Sequence, residues 1–125
     1  TQAFADPKFN VDILKVEIPV NFNFVEGTGT PQMSRAEAER AFVDAADAAG
    51  GIPLLYLSAG VTFEQFRDAL TFSRTAGVNP LGFMCGRAIW SDAIDIFGAE
   101  GPAAMEVWMK DTGRARLAAL KDAIA

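Results

Sequence analysis

Val11-Asp12-Ile13-Leu14-Lys15-Val16-Glu17-Ile18-Pro19-Val20 is the stretch on which the reading of this chain turns. With the alternation of a β-strand, Leu14, Val16, Ile18 and Val20 share one face while Ile13, Lys15 and Glu17 share the other. A lysine inside an apolar run is neutralised, paired or chemically employed. If its face lines the interior of a barrel, desolvation disfavours the ammonium and the neighbouring Glu17 carboxylate favours it. A lysine balanced between those influences can act as a Schiff-base nucleophile. The plainer alternative is a Lys15–Glu17 pair spanning a partly solvated strand.

Beyond this strand the chain has the rhythm of strand and helix. Glu26-Gly27-Thr28-Gly29-Thr30-Pro31 reads as a loop, within a connection of about residues 21–33. An ordinary surface loop fits this stretch as well as a lid over a site. Ser34-Arg35-Ala36-Glu37 is a capping box opening a helix to about Ala49. Its small apolar residues Ala38, Ala41, Phe42, Ala45, Ala46 and Ala49 suit close packing on a sheet, and Gly50-Gly51 closes it. Its acidic residues Glu39, Asp44 and Asp47 read as a solvated face. Ile52-Pro53-Leu54-Leu55-Tyr56-Leu57 has the continuous apolar character of a parallel strand buried on both faces. Thr62-Phe63-Glu64-Gln65 opens a second capped helix, carrying Phe63, Phe66, Leu70 and Phe72 toward Gly77. Leu81-Gly82-Phe83-Met84-Cys85 makes a third strand, with a helical stretch after it toward Phe97. Gly101-Pro102 breaks the chain before helices over about Ala103–Lys110 and Arg114–Ile124. The class is therefore α/β with parallel pairing. About three such units fit in 125 residues, whereas a closed eight-fold barrel needs ~250, so the pattern predicts a small open sheet or a piece of a barrel.

Composition narrows the chemistry. Half of the residues are hydrophobic, enough for a core of ordinary size, and no apolar run approaches the ~20 residues of a membrane span. The start Thr1-Gln2-Ala3-Phe4 is neither a secretory leader nor a natural initiator, so a cytoplasmic setting and a longer parent are expected. A single cysteine, Cys85, excludes an internal disulfide, and the lack of histidine removes the commonest zinc ligand and general base. Cys85 reads as an inert buried thiol, and Trp90 and Trp108 as packing residues. A net charge of -5 argues against nonspecific nucleic-acid binding, so an anionic ligand would need a local positive site.

Such a site is expected where parallel strands end, because the following turns converge there. Ser58-Ala59-Gly60 offers a hydroxyl and closely approachable backbone N–H groups, and Gly86 permits close approach beside the Arg87 guanidinium. Together they read as a phosphate cradle. The competing reading is that Gly60 and Gly86 only make tight turns and Arg87 pairs with an acid.

Phe9-Asn10-Val11-Asp12-Ile13-Leu14-Lys15-Val16-Glu17-Ile18-Pro19-Val20-Asn21 resembles the Schiff-base strand of class I tagatose 1,6-bisphosphate aldolases. Tyr56-Leu57-Ser58-Ala59-Gly60-Val61, Cys85-Gly86-Arg87-Ala88-Ile89-Trp90-Ser91 and Asp111-Thr112-Gly113 are similar to the same family's later segments, in the same order. The resemblance implies a single segment, residues 1–125, with no separate second domain. It would form about the last three βα units of a TIM (β/α)8 barrel whose earlier strands lie outside the chain. It further implies that Lys15 forms an iminium with a ketose bisphosphate, with Glu17 orienting it, and that no metal or cofactor is required. Ser58, Ala59, Gly60, Gly86 and Arg87 would hold a substrate phosphate. An acid/base glutamate and a further lysine of the family belong to earlier strands and have no counterpart in this chain. Aldolases of 6-deoxy-6-sulfofructose 1-phosphate share the lysine strand and the glycine-arginine turn. The Asn21–Gly27 loop leans toward the tagatose group. The rival class of function is a noncatalytic partial-barrel module. In either case the bare inner face predicts self-association or pairing with the remainder of a barrel.

Overall fold

A computed structural model describes residues 1–27 and 29–125; Thr28, inside the loop expected over about 21–33, lies outside the described residues. Three strands form a parallel sheet in the order β1 (Leu14–Glu17), β2 (Leu54–Leu57), β3 (Gly82–Met84). Val16 stands beside Tyr56 and Tyr56 beside Phe83. This row, with Leu14 and Leu54, turns toward the helices, while Lys15, Glu17, Leu55, Leu57 and Met84 turn away. The alternation read from the first strand is thus the one observed, over a shorter span.

Helices α1 (Arg35–Asp47) and α2 (Phe63–Thr75) cover the first of these faces. Both begin with the capping boxes expected of them. Ser34 and Glu37 exchange bonds at one start, and Thr62 and Gln65 at the other. Ala38 and Phe42 of α1 and Phe66, Leu70 and Phe72 of α2 are buried between helix and sheet. Phe42 packs edge-on to Tyr56, and Phe66 edge-on to Phe83, so each helix is docked on a different strand by an aromatic pair.

The rest of the chain departs from the sequence reading in three places. The connection after β1 is not plain loop: Phe22–Phe24 forms a 3-10 turn, and Val25 pairs with Met33 in an isolated bridge. Val25 is buried, and Phe22 packs against Phe42 and Phe72, so apolar residues hold the base of an otherwise exposed excursion. β2 is covered on one face only, because Leu55 and Leu57 are half-buried on the side that carries no helix layer. Beyond β3, α3 (Arg87–Trp90) and α4 (Asp92–Glu100) lead to the expected break at Gly101. From there α5 (Pro102–Trp108) and α6 (Arg114–Ile124) are joined by a π-turn over Met109–Gly113 rather than by a second break. Gly113 keeps helical dihedrals there and is buried against Met109. Helix α6 runs along α2, where Arg116 donates to the Ile89 carbonyl at 3.0 Å, pairs with Asp92, and lies over the Phe63 and Trp108 rings.

Tyr56 is fully buried, and its hydroxyl has no hydrogen-bond partner among the described residues. Burial pushes its phenol from 10.0 up to about 12. The folded chain therefore disfavours the phenolate where the unfolded chain accepts it, and stability that is whole below the lower value falls as pH rises through the upper one. Tyr56→Phe removes the orphaned hydroxyl and should raise unfolding free energy by about 1 kcal/mol at neutral pH. Urea titrations at neutral and alkaline pH should also show a smaller alkaline loss in the variant.

Candidate functional site

The carboxyl ends of β2 and β3 run directly into two tight turns. At the first, the Val61 N–H donates to the Ser58 carbonyl at 3.1 Å, with Ala59 at φ 50° and Gly60 at φ 86°. Two consecutive positive values turn the chain sharply and leave the Ser58 side chain buried beneath it. For Ala59 this backbone is costly, and such strain persists only where the surroundings hold it. At the second turn Gly86 precedes α3 with φ -129°, an ordinary value for any residue.

The two turns touch. A Cβ on Gly60 would lie 3.1 to 3.4 Å from three atoms of the Arg87 guanidinium, which therefore rests on the bare Cα of the neighbouring turn. A Cβ on Gly86 would lie 3.0 Å from Nε1 of Trp90, whose indole folds back over its own turn. Each glycine thus makes room for a side chain bearing N–H donors. The ion pairs among the described residues include neither Arg87 nor Lys15 nor Glu17, so both the acid-paired arginine and the lysine–glutamate pair considered from sequence are not formed.

Lys15, Ser58, Ala59, Gly60, Gly86 and Arg87 line a single open hollow of about 670 Å³. That size accommodates a small phosphorylated ligand. Glu17 lies elsewhere. It borders an adjoining hollow of about 410 Å³ with Asn21 and Gln65, and the two share Leu57, Ser58 and Ala59 as their common wall. Lys15 and Glu17 therefore occupy one face of the strand but open on different spaces. Lys15 itself is exposed on the uncovered side of the sheet.

Sequence reasoning missed part of this wall. Met84, Cys85, Ile89, Trp90 and Leu117 also line the larger hollow. Trp90, expected as a packing residue, lies against Gly86 but is also 39% exposed and faces the hollow. Leu117 comes from α6, which packs along α2. Cys85 is half-buried, and desolvation raises its pKa, in keeping with an unreactive thiol.

The model of the DeoC/LacD family aldolases matches residues 1–92. The chain belongs to this family. Among its DeoC/LacD relatives, tagatose 1,6-diphosphate aldolase of Streptococcus pneumoniae is 44% identical over 114 residues, covering 90% of this chain and 35% of its own length. The namesake enzyme of Staphylococcus haemolyticus is 46% identical over 112 residues, covering 88% and 34%. That of Staphylococcus aureus is 45% identical over the same length and shares. The chain thus spans about a third of the length of the curated relatives it matches. Within this DeoC/LacD chain, the family match takes in Lys15 and both turns of the hollow.

Because the Gly60 turn needs positive dihedrals, Gly60→Ala should cost about 1–2 kcal/mol in urea unfolding, while Ala59→Gly should be neutral or stabilising. Equal effects of the two substitutions would mean that the positive dihedrals are not held by the fold.

Proposed function

We propose that the chain is the carboxyl-terminal part, about the last three βα units, of a (β/α)8-barrel class I aldolase. As a single segment it contributes the nucleophile and the phosphate grip to cleavage of tagatose 1,6-bisphosphate into dihydroxyacetone phosphate and glyceraldehyde 3-phosphate. The observation that carries this reading is the convergence of Lys15, the Ser58-Ala59-Gly60 turn and the Gly86-Arg87 turn on one hollow. An amine and an anion site on one small cavity are what a phosphorylated ketone requires.

In this scheme the Lys15 Nζ, unprotonated, adds to the ketone carbon C2, and loss of water gives a protonated iminium. A base removes the C4 hydroxyl proton, the C3–C4 bond breaks toward the iminium, and glyceraldehyde 3-phosphate departs, leaving an enamine. Protonation of the enamine at C3 restores the iminium. Water then releases dihydroxyacetone phosphate and the free lysine. Arg87 and the Ser58-Ala59-Gly60 and Gly86 backbone hold the phosphate of the retained three-carbon half, fixing the ketone beside the amine. Glu17, which makes no ion pair with Lys15 in this structure, acts on the lysine through the charge of its carboxylate two residues along the same face. The acid/base groups come from strands beyond this chain. No metal or cofactor enters the scheme.

Substrate choice at the distal end favours tagatose 1,6-bisphosphate over 6-deoxy-6-sulfofructose 1-phosphate, supported by the Asn21–Gly27 loop and by the names of the relatives. No helix among the described residues is long and apolar enough to cross a membrane, and we place the parent enzyme in the cytoplasm.

The decisive test is borohydride reduction with dihydroxyacetone phosphate, followed by intact mass and peptide mapping. A reduced adduct should map to Lys15 and vanish in Lys15→Ala. An adduct that survives Lys15→Ala would sink the assignment of the nucleophile. Arg87→Ala should weaken phosphate-dependent trapping about 10- to 100-fold, the range expected for lost charge-assisted bonds, with little change toward unphosphorylated dihydroxyacetone.

A second reading is favoured by the bare face of the sheet, where Ile13 and Met84 are each about half exposed. On this reading the chain is a noncatalytic partial-barrel module that covers that face by self-association. Sedimentation velocity should then show a concentration-dependent dimer or larger species weakened by Met84→Lys; a monomer at all concentrations would eliminate it.

A further inference from the structure

Two side chains with N–H donors lie over bare glycines in the larger hollow, and the aldolase scheme uses only one of them. Arg87 rests on Gly60, and Trp90 rests on Gly86. They stand three residues apart on α3, a spacing that puts them on the same side of the helix. Among the described residues the Trp90 indole N–H has no hydrogen-bond partner, and the ring is 39% exposed, so the donor is open to a ligand. Trp90 also lines the hollow with Lys15, Arg87 and the Ser58-Ala59-Gly60 turn. Trp108 differs on both counts: it is half-buried beneath the Arg116 guanidinium, and it borders neither the larger hollow nor the one beside it.

We infer that Trp90 is a further binding residue of this hollow, its indole Nε1–H donating to the phosphate of the three-carbon ketone that Arg87 engages, and so favouring phosphorylated over unphosphorylated substrates. The inference rests on the aldolase reading and deepens it. A neutral donor in a fixed ring adds direction to the grip without adding charge, which suits discrimination of a tetrahedral anion beside a guanidinium. Gly86 points the same way. A Cβ there would meet the indole Nε1 at 3.0 Å, so the ring takes the space that a side chain would fill.

The test uses the 15N-labelled chain, in which two tryptophans give two indole cross-peaks, assigned by Trp90→Phe. Titration with dihydroxyacetone phosphate should move the Trp90 indole peak downfield and saturably, together with the Gly60 and Gly86 amides, while the Trp108 peak stays. Dihydroxyacetone at the same concentrations should not move it. Trp90→Phe should weaken dihydroxyacetone phosphate about tenfold. If the glycine amides and the Arg87 Nε signal respond while the Trp90 indole is still and Trp90→Phe keeps its affinity, the inference is overturned and the phosphate reading stands. If no signal of the hollow responds, both fall together.

Discussion

The pleat of three very short strands governs everything else in this chain. With four, four and three residues in β1, β2 and β3, there is no length over which an error of register could be averaged out. The Val16–Tyr56–Phe83 row faces the helices and meets Phe42 and Phe66, so the Lys15 and Glu17 positions are forced to the opposite side. A slip of one residue would bring Lys15 under Phe42 and leave an unpaired ammonium in an aromatic core, where it costs several kcal/mol or more. The packing of the helices and the accessibility of Lys15 are thus a single constraint seen from two sides of the sheet.

The same economy appears at the strand ends. The phosphate grip proposed for Arg87 depends on a neighbouring turn that has no side chain at Gly60, and on α3 being held in place. Arg116 supplies that second condition. Its bond to the Ile89 carbonyl and its pair with Asp92 tie α6 to the end of α3 and the start of α4. The guanidinium is largely shielded, lying over Phe63 and Trp108, so its bonds compete with less water than an exposed pair would. A helix at the far end of the chain thereby helps to fix a turn that begins at Gly86.

Much of this is legible in the sequence because it is written in local chemistry. The two capping boxes, the small-residue face of α1 and the break at Gly101 each rest on interactions within a few residues, and each is where the sequence places it. The Lys15 strand and the two strand-end turns are legible for a different reason: their alternation and glycine placement are tied to the family's parallel architecture. The features that cannot be read depend on distant contacts. The π-turn over Met109–Gly113 has no glycine-proline or capping signal of its own, and it lies against the distant α3. The place of Leu117 in the hollow depends on the packing of α6 along α2. Trp90 escapes a sequence reading because helical spacing reports which residues share a side, not whether that side meets the core or a cavity.

The uncovered face poses the last question, and its composition answers part of it. Met84, Ile13 and the half-buried Leu55 and Leu57 give this face an apolar character unlike a surface evolved to meet water, yet Lys15 and Glu17 stand among them. A purely structural interface gains nothing from two ionisable groups at its centre, since each must be desolvated when the interface closes. A reaction chamber gains a great deal, because excluding water strengthens the grip on a phosphate and protects an iminium from premature hydrolysis. The charges and the apolar residues therefore argue together for a face that closes around a substrate rather than one that closes on itself. On the proposed function, the remaining strands of a barrel would do more than complete a fold: they would supply the dry wall beside the nucleophile proposed at Lys15.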